Sequence, residues 1–284
     1  MSLCHLVALL AGCAASPPPG FQVSLAGAQI PVEMVESWLA ASRRPYFGVA
    51  QVMPVYLSMH GFENLAAGNA DLACTDRLMT RRELESFGGR GVAGRRVAFY
   101  GYGLYVNAAN PVDSIFSRHL KMVFQRRIQD WADLAGPKID NFAGPIKLYG
   151  PQKGTRAGQA LAPLAKIWVA DATWQELDTD EQIVQAVAED PLALGFASIG
   201  FDHGVRYLGL RMDRTDRPAF PSIEEIENER YGLAKMIYVY YLDPPTPAVQ
   251  AVLDYLASEP GRRAIESTGV WAVAPERAAA PSPR

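Results

Sequence analysis

Short apolar runs alternate with stretches of helical periodicity from residue 20 to residue 274, and that alternation narrows the fold more than any other feature. Phe21 to Leu25 reads as a strand. After the turn Gly27-Ala28-Gln29-Ile30-Pro31, the apolar positions Val32, Val35, Trp38 and Leu39 recur as on one face of a helix. Pro31 suits the first helical position, where a missing N–H costs nothing. The pattern then repeats. Val97 to Val106 is an aromatic-rich strand, and Phe116, Leu120, Val123 and Phe124 form a helical stripe. Thr179-Asp180 opens a helix carrying Ile183, Val184 and Val187, and Leu194 to Ile199 reads as a buried strand. Met236 to Leu242 is a strand, and Thr246-Pro247 opens a helix with Val249, Val252, Leu253 and Leu256 on one face. Strands alternating with helices predict an α/β fold with parallel-dominated sheets, and the aromatic strands near 97–106 and 234–242 are candidate crossings between two lobes. The 284 residues, 49% of them hydrophobic, suffice for one large core or two medium ones.

Charge sets limits on partners. A formal net charge of −3 offers no basic excess to displace counterions from nucleic acid, so any anion site must be local. No apolar run approaches the ~20 residues that span a bilayer. The N-terminus reads differently: an apolar stretch from Leu3 to Leu10 leads into Leu10-Ala11-Gly12-Cys13 and then an Ala/Ser/Pro-rich segment. This resembles a lipoprotein signal in which Cys13 carries the lipid and the following residues form an extended tether. It departs from that pattern in having neither Lys nor Arg among Met1-Ser2-Leu3-Cys4-His5. With Cys4 in the signal and Cys13 acylated, Cys74 is left alone and reads as a small buried residue. The Ala/Pro-rich tail from Pro275 to Arg284 reads as disordered.

Enzymatic motifs fail on spacing. Gly150 to Arg156 lacks the G-x-x-x-x-G-K-[ST] of a nucleotide loop, and Ala197 stands where a nucleophile elbow around Ser198 needs glycine. The four histidines have no metal-ligand spacing, and Glu224 to Glu229 reads as a solvated helix face. No catalytic residue, metal or cofactor is assigned. Helix N-termini are better candidates, because their unpaired N–H groups and partial positive charge suit an oxyanion. Three stretches could supply them: Gln29-Ile30, Ser58 to Gly61, and Gly154-Thr155, the last with the Thr155 hydroxyl as an added donor. Each alone is ordinary capping, so their meaning depends on whether they converge.

Taken in order, several segments resemble the phosphate-binding substrate-binding proteins of bacterial ABC transporters, members of the type II periplasmic binding protein superfamily. The marks are Gly27 to Pro31 with Trp38 after it, Gly68 to Ala73, Val106 to Val112, Val123 to Trp131, Leu194 to Gly200, and Pro244 to Leu256. The resemblance implies two α/β lobes joined by two hinge strands, closing on an anion held between them. The implied division is a signal and tether at 1–19, one lobe from 20–98 and 236–274, a second lobe at 99–235, and a tail at 275–284. It also implies an envelope lipoprotein, periplasmic or on the outer surface, that meets the membrane only through its lipid and hands phosphate or a similar oxyanion to an ABC permease.

The resemblance places ligand contacts at Gln29, Ile30, Ser58, Asp76, Lys153, Gly154 and Thr155. Asp76 would accept the proton of hydrogen phosphate and reject sulfate, which has none to give. Three departures bear on the ligand. Gln29 replaces a small hydroxyl residue, Lys153 replaces the serine before Gly154-Thr155, and Tyr149, Gly150, Pro151 and Gln152 stand where an arginine is usual. A lysine restores charge without the planar, two-pronged guanidinium. Another organic anion such as a phosphonate, or a sensory role without transport, are the competing expectations.

Overall fold

The computed structural model describes residues 21–42, 47–52, 57–135, 142–155, 158, 173–201, 203–212, 217–274 and 276. Cys13, Arg156 and nearly all of the Ala/Pro-rich tail lie outside them. The strands are β1 (Phe21–Gly27), β2 (Phe47–Val52), β3 (Leu72–Thr75), β4 (Val92–Asn107), β5 (Ser114–Phe116) and β6 (Lys147–Pro151). There follow β7 (Gln175–Leu177), β8 (Ala193–Ser198), β9 (Val205–Tyr207), β10 (Gly209–Arg211), β11 (Ala234–Leu242) and β12 (Trp271–Ala272). The early helices are α1 (Gln29–Ala41), α2 (Ser58–Ala67), α3 (Arg81–Glu85) and α4 (Ser117–Phe124).

One sheet runs through the molecule in the order β2-β1-β3-β11-β4-β8-β6-β7, with β9 and β12 also paired to β4. The β1, β2 and β3 strands are parallel to one another, as are β6, β7 and β8. Between these parallel groups, β11 and β4 run antiparallel to their neighbours. The long strand β4 pairs with β11 and β12 over its first part and with β8 and β9 over its second, so it belongs to both halves. Of the two aromatic strands, β4 is thus paired to both halves, and β11 lies beside it, between β3 and β4.

Each parallel group has its own helical cover. Val32, Val35, Trp38 and Leu39 of α1 pack with Val23, Leu25, Ile237 and the helix Pro247–Ala257 in one core. On the other side Ile183, Val184 and Val187 of the helix Asp180–Glu189 pack against Tyr105 and Ala197. Helix α1 starts two residues earlier than the proline suggested, and Pro31 is its third residue, still within the first turn whose N–H groups need no helical partner. The acidic run also differs from expectation. Glu225 accepts hydrogen bonds from Arg217 and Arg230, and Glu227 accepts from Arg96 at 2.8 Å, so two of its carboxylates are ion-paired and not simply solvated.

Candidate anion-binding site

In the first half, strand pairing brings three pieces of chain together. Gly27 ends β1 against β3 with φ +142°, and a Cβ there would lie 1.8 Å from the Cys74 carbonyl oxygen. Only glycine fits this approach. The Ala28 N–H then donates to the Cys74 carbonyl at 3.0 Å, which sets the start of α1 beside the end of β3. Gly61 of α2 packs on Gly27, where an added Cβ would come within 2.8 Å of the Gly27 Cα. The N-termini of α1 and α2 thus meet at the carboxyl ends of β1 and β3. Neither helix has a side-chain cap.

At that junction Ser58 and Asp76 form a reciprocal pair. The buried Ser58 hydroxyl donates to Asp76 Oδ1 at 2.6 Å, and the Asp76 N–H donates to Ser58 Oγ at 3.1 Å. Tyr100 of β4 lies within reach of the same carboxylate's charge. Burial and then the charge of Asp76 push its phenol above the ordinary tyrosine range. No spacing in the sequence marks Tyr100, because its place beside Asp76 arises from β11 lying between β3 and β4. Arg77 is held elsewhere: its guanidinium donates to both Glu83 oxygens at 2.9 and 2.6 Å and lies over the Phe62 ring. The Gln29 amide donates to Glu33 at 2.9 Å along its own helix, so at the head of α1 it is the backbone that remains for a ligand. Cys74 is wholly buried, and burial pushes its thiol up to about 12.

In the second half, Gly150 packs flat on the Phe196 ring and β6 ends at Pro151. The Thr155 hydroxyl donates to the Gln152 carbonyl at 2.6 Å and accepts from the Gly158 N–H at 3.2 Å, the geometry of a helix N-cap. The Lys153 ammonium stands 4.9 Å from the centre of the Trp174 ring, and the Lys153 N–H donates to Glu176 at 2.7 Å. Lys153 therefore braces the end of β6 against β7. Nearby, Asp180 accepts the Ser198 N–H at 3.2 Å, and its charge, after burial, raises the Tyr102 phenol.

Gln29, Ile30, Ser58 and Asp76 are thus gathered in the first half, and Lys153, Gly154 and Thr155 lie together in the second. Both groups of parallel strands point their carboxyl ends at the same short piece of β4. Thr75 and Tyr238 are paired on one side of it, and Ser198 and Tyr102 on the other. Between Tyr100 and Tyr102, Gly101 takes φ +148° and fits against Leu233 and Ala234 without room for a Cβ. Ligands of open α/β sheets bind outside the carboxyl ends of strands, where strand order changes direction. Beside Asp76 a cavity of about 520 Å³ opens, with walls from Arg77 to Arg82, from α4 and from the start of β11. Among the described residues no group of His, Cys, Asp or Glu could hold a metal ion.

Two α/β halves that share the long strand β4 give the two-lobed fold of the type II periplasmic binding proteins. A family model described as a PBP superfamily domain matches residues 13–260, and the chain belongs to that family. It is similar to protein SphX of Synechococcus elongatus, at 25% identity over a stretch covering 63% of this chain and 56% of that protein, so the chain spans little more than half of that relative's length. Its fold is similar to a possible phosphate-binding protein from Planctomyces limnophilus, with TM-score 0.63, 18% identity and coverage of 90% and 94% of the two chains. It is also similar to an ABC-type phosphate transport receptor from Vibrio cholerae, with TM-score 0.56, 19% identity and coverage of 88% and 99%.

Proposed function

We propose that the protein captures phosphate outside the cytoplasm, in the cleft between its lobes, and delivers it to an ABC permease. The observation that carries this reading is the Ser58–Asp76 pair lying at the joined, uncapped N-termini of α1 and α2. Backbone N–H groups would hold the oxyanion, and Asp76 would take the hydrogen of the P–OH group. The names of the two structural neighbours agree with this choice of anion. Gln29 and Ile30 would contribute through their backbone. Lys153, Gly154 and Thr155 would form the opposing wall once the lobes close, with residues 20–98 and 236–274 as one lobe and 99–235 as the other. In this division the boundary at 98/99 falls within β4, which fits a strand shared by both halves. The protein would bind and release without chemistry, and lipid on Cys13 would tether it to the membrane. Among the described residues no helix is long and apolar enough to cross a membrane.

Titration calorimetry against phosphate and sulfate tests the reading. The wild type is expected to bind phosphate and to reject sulfate. Asp76→Asn, which can donate a hydrogen bond as well as accept one, should bind phosphate at least ~10-fold more weakly and gain affinity for sulfate. No heat and no thermal shift with millimolar phosphate would overturn the reading.

A further inference from the structure

The cavity beside Asp76 is larger and more apolar than a bare oxyanion requires. Its volume of about 520 Å³ lies within the range of roughly 300–1,000 Å³ typical of pockets that enclose organic ligands. Met79, Leu120, Leu210, Ile226, Leu233 and Met236 supply much of the wall, and all six are buried. The charged lining is mixed. Arg81, Arg82 and Lys235 have no ion-pair partner among the described residues, whereas Glu227 is bound to Arg96 and Glu229 also lies on the lining. Asp76 is part of this lining while its carboxylate holds the Ser58 hydroxyl, so the cavity adjoins the proposed anion site at Asp76. An inorganic oxyanion seated there would leave the apolar walls to water.

We infer that the cleft takes a monosubstituted phosphorus oxyanion, R–PO₃, whose head sits at Ser58 and Asp76 and whose apolar substituent R fills the cavity. This rests on the oxyanion reading above and adds the class of ligand. Such a head still carries an acidic P–OH near neutral pH, so the role of Asp76 is unchanged. The cations Arg81, Arg82 and Lys235 favour a ligand of net negative charge, and the buried side chains favour an aryl or alkyl group over a sugar.

Calorimetry with inorganic phosphate, methylphosphonate and phenylphosphonate tests the inference. Phenylphosphonate is expected to bind at least ~10-fold more tightly than the other two. Gly232 lines the cavity, and a Cβ built on it meets no atom within 4 Å, so Gly232→Phe should fill the space at little cost to folding. That variant should lose phenylphosphonate affinity at least ~10-fold and keep its affinity for phosphate. Should it fail to fold, Met212→Trp at the 43% exposed rim carries the same comparison. Phosphate binding with phenylphosphonate no tighter overturns the inference and leaves the oxyanion reading standing. Silence toward all three ligands overturns both. Tight phenylphosphonate binding that a folded, cavity-filled variant retains also overturns it, because the substituent would then lie elsewhere. Tight phenylphosphonate binding without phosphate binding upholds the inference and removes inorganic phosphate as the ligand.

Discussion

Ser58 has one hydroxyl proton, and in this structure it is given to Asp76 at 2.6 Å. That bond keeps the carboxylate from standing unpaired, and it fixes which oxygen stays open to a P–OH donor. Removing the hydroxyl therefore acts on the ligand through Asp76 as well as directly. Ser58→Ala should weaken phosphate binding roughly 10- to 100-fold, the equivalent of a charge-assisted hydrogen bond worth about 1.5–3 kcal/mol. Calorimetry reads this, and an unchanged affinity would place the hydroxyl outside the site. Gly27 acts at the same junction through space alone. Its Cβ would collide with the Cys74 carbonyl at 1.8 Å, and its φ of +142° is one that L side chains rarely adopt. Gly27→Ala should cost more than about 3 kcal/mol in urea unfolding, as steric overlap and backbone strain add. A loss below 1 kcal/mol, on the order of an ordinary surface change, would mean that β1 and β3 can part there without consequence.

Among the elements, α3 shows how one helix steadies the loop that carries Asp76. Thr80 and Glu83 form a reciprocal cap, and Glu83 also grips Arg77, the residue after Asp76. Burial raises the Glu83 carboxyl, but hydrogen bonds from Arg77 and Thr80 outweigh it and hold the group below its ordinary 4.5. A depressed carboxyl stabilises the fold above the unfolded-state value and loses that contribution as pH falls through the lower, folded one. Glu83→Gln should thus be less stable than wild type by about 1–2 kcal/mol at pH 7, and the gap should close below about pH 4.5. Chemical denaturation at several pH values checks it; a gap independent of pH would remove the ionised cap from the account. These elements were unevenly legible in the sequence. Apolar periodicity and the caps Thr179 and Thr246 located helices well, because those signals are local. The segment Val106 to Val112 marked the family, yet its structural work is long-range: the Asn107 amide donates to the carbonyls of Val187 and Ala188, and Asn110 to that of Pro191. Tyr100 and the apolar cavity left no local trace, since both depend on which strands become neighbours. Lys153 read as a ligand cation in the sequence, and the structure places its ammonium over Trp174.

At the scale of the whole molecule, the sheet decides how the halves respond together. A protein of two lobes joined by flexible linkers would melt in two steps. Here β4 hydrogen-bonds to β11 and β12 in one half and to β8 and β9 in the other, and Trp271 of β12 packs on Gly200 across the hinge. Loss of either half strips partners from the same sixteen-residue strand. Calorimetric unfolding should accordingly show one transition, and a ligand bound only by the native state should move all of it. At a phosphate concentration 100 times the dissociation constant, the added stability is about 2.7 kcal/mol, which corresponds to a rise of roughly 5–10 °C in Tm for a chain of this order of size. Asp76→Asn should keep the single transition and lose most of the phosphate-induced rise, since the substitution touches the site and not the shared strand. Two resolved transitions, with only one shifted by phosphate, would show that the hinge pairing does not couple the lobes and that the ligand is held by one of them alone.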